Sequence, residues 1–197
     1  FITFAIADGD INNPANWSHG VPNGLLTGII LSGRMMTISS VMNIGQIQVQ
    51  CGGSLTGGSA SAYIVGSVRK DFCAAANETF TYPVGDPSNY SPLTVSNANG
   101  SGNLTASVTD TFMPGLPATT KSLSRYWSLT GAGITTDLTF SYVDSDVNGT
   151  EANYRLFKRS AATNLTVPAV SAPANTAANA ITISSVSQFS DWSASDA

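Results

Sequence analysis

The residues of this chain best suited to chemistry form a short acidic string, Asp144-Ser145-Asp146-Val147-Asn148-Gly149-Thr150-Glu151. Asp, Asp and Asn alternate and Gly stands sixth, which is how the first half of an oxygen-ligand calcium loop reads. The twelfth position of such a loop calls for a bidentate carboxylate, and here it is Leu156. Asp144, Asp146, Asn148 and Glu151 are therefore the candidate Ca2+ ligands, with Glu151 reaching an ion only along a different backbone path. An Asx-rich hairpin turn is the competing reading of the same residues. Asp8, Asp10 and Asn12 repeat the alternation more weakly, as a cation site or as turn caps before Trp17. No other cofactor is suggested.

Covalent catalysis has little to work with. The one histidine, His19, stands beside Ser18 without a nucleophile-elbow pattern, so a polar loop is its expected place. Paired carboxylates flanking a sugar would suit glycoside hydrolysis, but Asp144 and Asp146 lie in a turn-rich string. Trp127 and Trp192 sit in alternating patterns and are expected in the core, while Trp17 is open between core and surface. These features predict a protein that is not an enzyme.

Composition narrows the partners. Eight Lys and Arg face twelve Asp and Glu in 197 residues, a net charge of -4. Nucleic acid is excluded as a partner, since it needs a basic stripe to neutralise phosphates. The one basic cluster, Arg69-Lys70, is offset by Asp71. The apolar run Phe1 to Ala7 is too short to cross a bilayer, so no membrane insertion is expected. A start at Phe1 reads as a mature product whose targeting peptide, if it had one, has been removed. Cys51 and Cys73 lack the further ligands of a zinc site, which leaves a disulfide or two separately buried thiols. Sequons at Asn16, Asn77, Asn89, Asn99, Asn103, Asn148 and Asn164 offer glycosylation in a chain where such matches also arise by chance.

The elements that must position these residues are strands. Runs of four to eight β-prone residues alternate with Asn-Gly, Gly-Gly and Pro-rich punctuation, and no window holds a useful helical period. Short strands with small Gly and Ser turns fill the first part, as in Gly52-Gly53-Ser54-Leu55-Thr56-Gly57-Gly58, whereas later alternations are longer. The fold class expected is all-β: a short solenoid-like or curled N-terminal sheet over residues 1–58, then an antiparallel β-sandwich over 59–197. A single continuous sandwich is the alternative.

Several blocks carry a resemblance: Asp8 to Ser18 with Val21-Pro22, Gly66 to Lys70, Phe80 to Asp86, Tyr90-Ser91-Pro92, Arg125 to Leu129, Val147 to Tyr154 and Phe189 to Trp192. In this order they resemble modules of large secreted, repeat-built, adhesin-like surface proteins of Bacteroidota and related bacteria. The resemblance spans nearly the whole chain and implies an extracellular, bacterial cell-surface location and a β architecture, without a reaction.

Finally, Ile2, Phe4 and Ile6 alternate with Thr3, Ala5 and Ala7, so an extended segment presents three large apolar side chains on one face. Either the strand pairs within its own domain or it completes a neighbour's sheet by strand addition, making these residues subunit contacts in a homopolymer. The expectation is a non-enzymatic structural or adhesive protein, the repeating subunit of a filament or surface layer, with copies of itself as partner. A carbohydrate-binding sandwich module, with surface glycans as partner, is the alternative.

Overall fold

The structure, a computed structural model, describes residues 1–197 apart from 118, 161, 162, 164, 170 and 197. The first seven strands alternate between two sheets. Strands β1 (Ile2–Phe4), β3 (Thr27–Ile30), β5 (Met42–Val49) and β7 (Ile64–Asp71) pair in parallel. Opposite them β2 (Gly9–Asp10), β4 (Met35–Thr37) and β6 (Ser54–Thr56) pair in parallel as well. The chain therefore winds as a short solenoid around Ile11, Ile30, Met36, Ile44, Ile47, Val49 and Leu55, all buried. Gly-rich corners allow the tight turns; Gly33 and Gly52 adopt φ of 78° and 77°, which a Cβ disfavours.

At β7 the pairing changes hand. Its far edge takes β11 (Asn103–Thr109) antiparallel, and the sheet continues through β12 (Tyr126–Ala132), β17 (Asp191–Ser195), β14 (Arg155–Arg159) and β15 (Thr166–Pro168). The two-residue β9 (Val84–Gly85) lies parallel beside the start of β7. A second antiparallel sheet, in the order β16 (Ala180–Val186), β13 (Thr135–Ser141), β10 (Leu93–Asn99), β8 (Glu78–Tyr82), closes the sandwich. The fold is thus all-β, a solenoid-like front followed by an antiparallel sandwich. Position 58 falls between β6 and β7, and β5 pairs with β7 across it from Met42↔Ile64 to Val49↔Lys70. The change of sequence texture marks a change of pairing within one continuous sheet.

The register of β5 against β7 shifts between Ile44 and Gln46. Gly66 sits at this bulge with φ 144°, and a Cβ there would collide with the Ile44 carbonyl oxygen. In the sandwich core, Trp127, Phe140 and Trp192 stack in sequence, with ring centroids 5.2 and 5.8 Å apart. Trp127 donates its indole N–H to the Ser91 carbonyl at 3.0 Å, and Tyr82 its hydroxyl to the Leu104 carbonyl at 2.9 Å. Trp17 is also buried and donates to the Ile11 carbonyl.

Candidate functional site

Two of the sequence blocks, Phe80 to Asp86 and Arg125 to Leu129, meet the acidic string that begins at Asp144 around one buried side chain. Arg125 leads into β12 and is fully buried. Its Nε and Nη2 grip Asp146 at 2.5 and 3.1 Å in a two-point contact, while Nη1 donates to Asp86. Asp86 ends the Phe80 to Asp86 block and also accepts from the backbone N–H groups of Ser88 and Asn89, at 2.7 and 3.1 Å. A third carboxylate, Asp110, stands 3.8 Å from Nη2 with half its side chain in solvent. Burial by itself raises the Asp86 carboxyl, but the guanidinium and the two N–H donors outweigh it and hold the group below the usual carboxylate range. Burial likewise opposes the charge on Arg125, and the paired carboxylates reverse this, pushing it upward. One guanidinium thus serves two buried carboxylates and ties the Asp86 and Asp146 segments to the start of β12.

The proposed calcium ligands do not converge. Asp144 accepts from Asn179 Nδ2 at 2.6 Å, Glu151 from the Tyr142 hydroxyl at 2.7 Å, and Asp146 is committed to Arg125. Asn148 points its amide at the carbonyls of Ser122 and Asp146. Two single 3₁₀ turns, Asp144–Asp146 and Glu151–Asn153, send the side chains in different directions. Among the described residues no three His, Cys, Asp or Glu side chains gather as a metal would require. Adding millimolar Ca2+ or EDTA should therefore leave the thermal midpoint unchanged in calorimetry; a rise with Ca2+ that EDTA reverses would contradict this.

Asp10 caps a turn, accepting from Asn12 N–H at 2.8 Å and the Ser39 hydroxyl at 2.5 Å, and Asp8 accepts from Met35 N–H. The Ser18 hydroxyl lies 2.8 Å from His19 Nδ1, yet it also accepts from Phe4 N–H and so serves the edge of β1.

The N-terminal strand turns its large side chains outward. Thr3 and Ala5 are buried, whereas Ile2, Phe4 and Ile6 are 50, 37 and 50% exposed and Phe1 is almost wholly so. Its backbone is held on both sides: β3 pairs with one edge, and on the other Ser18 N–H donates to the Phe4 carbonyl and Ile6 N–H to that of Asn16. The predicted apolar stripe exists, on a strand that pairs within its own sheet.

Cys51 and Cys73 form a disulfide with Cα atoms 5.0 Å apart. Cys73 and Lys70 both line a groove of about 430 Å³ between β6 and β8, edge strands of their sheets. Lys70 is buried there. Its ammonium donates to the carbonyls of Gln50 and Gly53 at 3.1 and 3.3 Å and sits 5.8 Å from the Phe80 ring centroid. Burial pulls this amine below the usual lysine range, against the opposing pull of Glu78 and Asp71. The Arg69-Lys70 pair thus splits, Arg69 meeting Asp71 at 2.8 Å while Lys70 points inward, as strand alternation requires.

Comparison with known proteins yields no match. No protein-family model, curated protein or solved structure is significantly similar to the chain. Its function therefore rests on its own geometry. The disulfide fits an oxidising compartment, and among the described residues no helix is long and apolar enough to cross a membrane.

Proposed function

We propose that this chain is a non-enzymatic structural or adhesive protein of the bacterial exterior, a repeating subunit of a filament or surface layer whose copies meet through edge strands. The polarity of β1 carries this reading. An edge strand serving only its own sheet would place large apolar residues inward; here small Thr3 and Ala5 take that place and Ile2, Phe4 and Ile6 face solvent. Contiguous exposed apolar groups of this kind mark contact surfaces.

Magnitude decides what sort of contact it is. Covering the exposed portions of Ile2, Phe4 and Ile6 contributes about 2–5 kcal/mol, against an association cost of about 4–15 kcal/mol. One such patch does not hold a stable pair, so assembly needs Phe1 and further surface, repeated over many copies. Strand addition by the same segment requires it to leave its three register pairs with β3, Ile2↔Thr27 to Phe4↔Ile29, and its backbone bonds to Asn16 and Ser18.

Ile2→Thr, Phe4→Thr and Ile6→Thr together keep β-branched residues in the strand and remove the apolar face. The unaltered protein is expected to form concentration-dependent assemblies in sedimentation velocity and fibres or sheets in negative-stain micrographs. The triple variant should remain a single particle with an unchanged melting curve. Assembly of the variant like the parent would eliminate these side chains as the contact, and a parent that stays monomeric at high concentration would eliminate the subunit reading.

A further inference from the structure

We propose that the outer face of the sheet β16-β13-β10-β8 binds an extended, uncharged polysaccharide chain laid across the strands. One threonine per strand lies in register: Thr81↔Thr94, Thr94↔Thr139 and Thr139↔Thr182. The hydroxyls are 3.2 Å apart in the first pair and 2.9 Å in the last. The adjoining inward row, Tyr82, Leu93, Phe140 and Ile181, is fully buried, so the threonines face solvent by strand alternation. Ser96 and Ser184 extend the hydroxyl face on one side, and none of the four strands turns a Lys, Arg or aromatic side chain outward.

Three physical features select the ligand. Thr81, at the β8 end of the row, lines the groove between β6 and β8, and the row runs from there across the sheet, a path that suits a long chain better than a compact molecule. Its one charge, Asp137, accepts from Asn97 Nδ2 and Ser185 N–H at 2.7 and 2.9 Å and stays negative, so the face has nothing to attract an anionic polymer. Strands recur every 4.7–4.9 Å, roughly the advance per sugar of an extended β-linked chain, and β-branched Thr holds its hydroxyl and methyl in few rotamers. Sheet twist of about 20–25° per strand turns successive threonines, which a chain jointed at every glycosidic linkage can follow and a rigid crystal surface cannot. A second copy suits the face poorly, since four strands cover about 300–400 Å² where a stable interface takes about 800 Å² per partner. The inference does not depend on self-assembly.

Affinity electrophoresis through gels containing hydroxyethyl cellulose or xyloglucan, with dextran and alginate gels alongside, tests it. The protein should be retarded in the two β-linked neutral gels and in neither of the others. Thr94→Val with Thr139→Val removes two central hydroxyls and keeps the β-branched shape; apparent affinity should fall about tenfold, the loss expected for two hydrogen bonds. Thr105→Val with Thr130→Val, paired in register on the other sheet, should retain full retardation. Absence of retardation in both β-linked gels, retardation by alginate, or equal loss in both variants with unchanged melting curves would overturn the proposal.

Discussion

Replacing Arg125 by Met is expected to lower folding stability by about 3–5 kcal/mol, because it strands Asp86 and Asp146 without their partner in a dry site. For a chain of this size that corresponds to a fall in Tm of roughly 6–20 °C. The exposed pair Arg34 and Asp8, 3.9 Å apart, provides the contrast, as Arg34→Met should change stability by less than about 1 kcal/mol. Urea titration of the two variants beside the parent checks both figures. A loss at Arg125 no larger than that at Arg34 would mean that water reaches the cluster and screens it.

The same cluster sets a pH dependence whose sign follows from Asp86. Its folded carboxyl is held below the unfolded value of about 3.9. The associated stability is therefore complete above about pH 4 and drains away as pH falls through the folded value. In the Arg125→Met protein the guanidinium is gone, so burial, which raises that carboxyl, is opposed only by the Ser88 and Asn89 N–H donors. Acid then weakens the variant less than it weakens the parent. The stability gap between them should be widest near neutrality and narrow progressively below about pH 4; a gap independent of pH would show that the loss is one of packing.

The parts legible in the sequence were those governed by short periods. Alternation placed the strands, Gly-rich corners announced the winding of the first 58 residues, and the buried roles of Trp127 and Trp192 followed from their strand patterns. Long-range pairing was not legible. Nothing local says that Arg125 would collect Asp86, 39 positions earlier, and Asp146, 21 later. The acidic string around Asp144 imitated a calcium loop because Asp, Asn and Gly serve turns and ligands alike; a distant arginine claimed Asp146 and set the direction of the rest. Lys70 was readable in principle, since a charge at an inward strand position needs carbonyl partners, but Asp71 next to it suggested a simple surface offset. The threonine row was invisible for a related reason: its four members lie on strands separated by turns whose lengths do not reveal register.

Breaking the disulfide is the other change with a large expected effect. Cys51 follows β5 and Cys73 follows β7, and these strands already pair as far as Val49↔Lys70, so the bond closes a gap that the native sheet has nearly closed. Its contribution then lies chiefly in the unfolded chain, where linking positions 22 residues apart removes conformational freedom. The loop-entropy relation gives about 3 kcal/mol for a loop of that length. Cys51→Ala with Cys73→Ala should lose that amount in urea titrations, and the parent in reductant should match the variant. A second effect is local. The carbonyls of Gln50 and Gly53 that hold the Lys70 ammonium flank Cys51, so release of this corner should speed amide exchange around Gly53 and Glu78 before it reaches the sandwich core. A uniform rise in exchange with no such focus would place the whole effect in the unfolded state, and an unchanged midpoint in reductant would show that the two sulfurs contribute no constraint to either state.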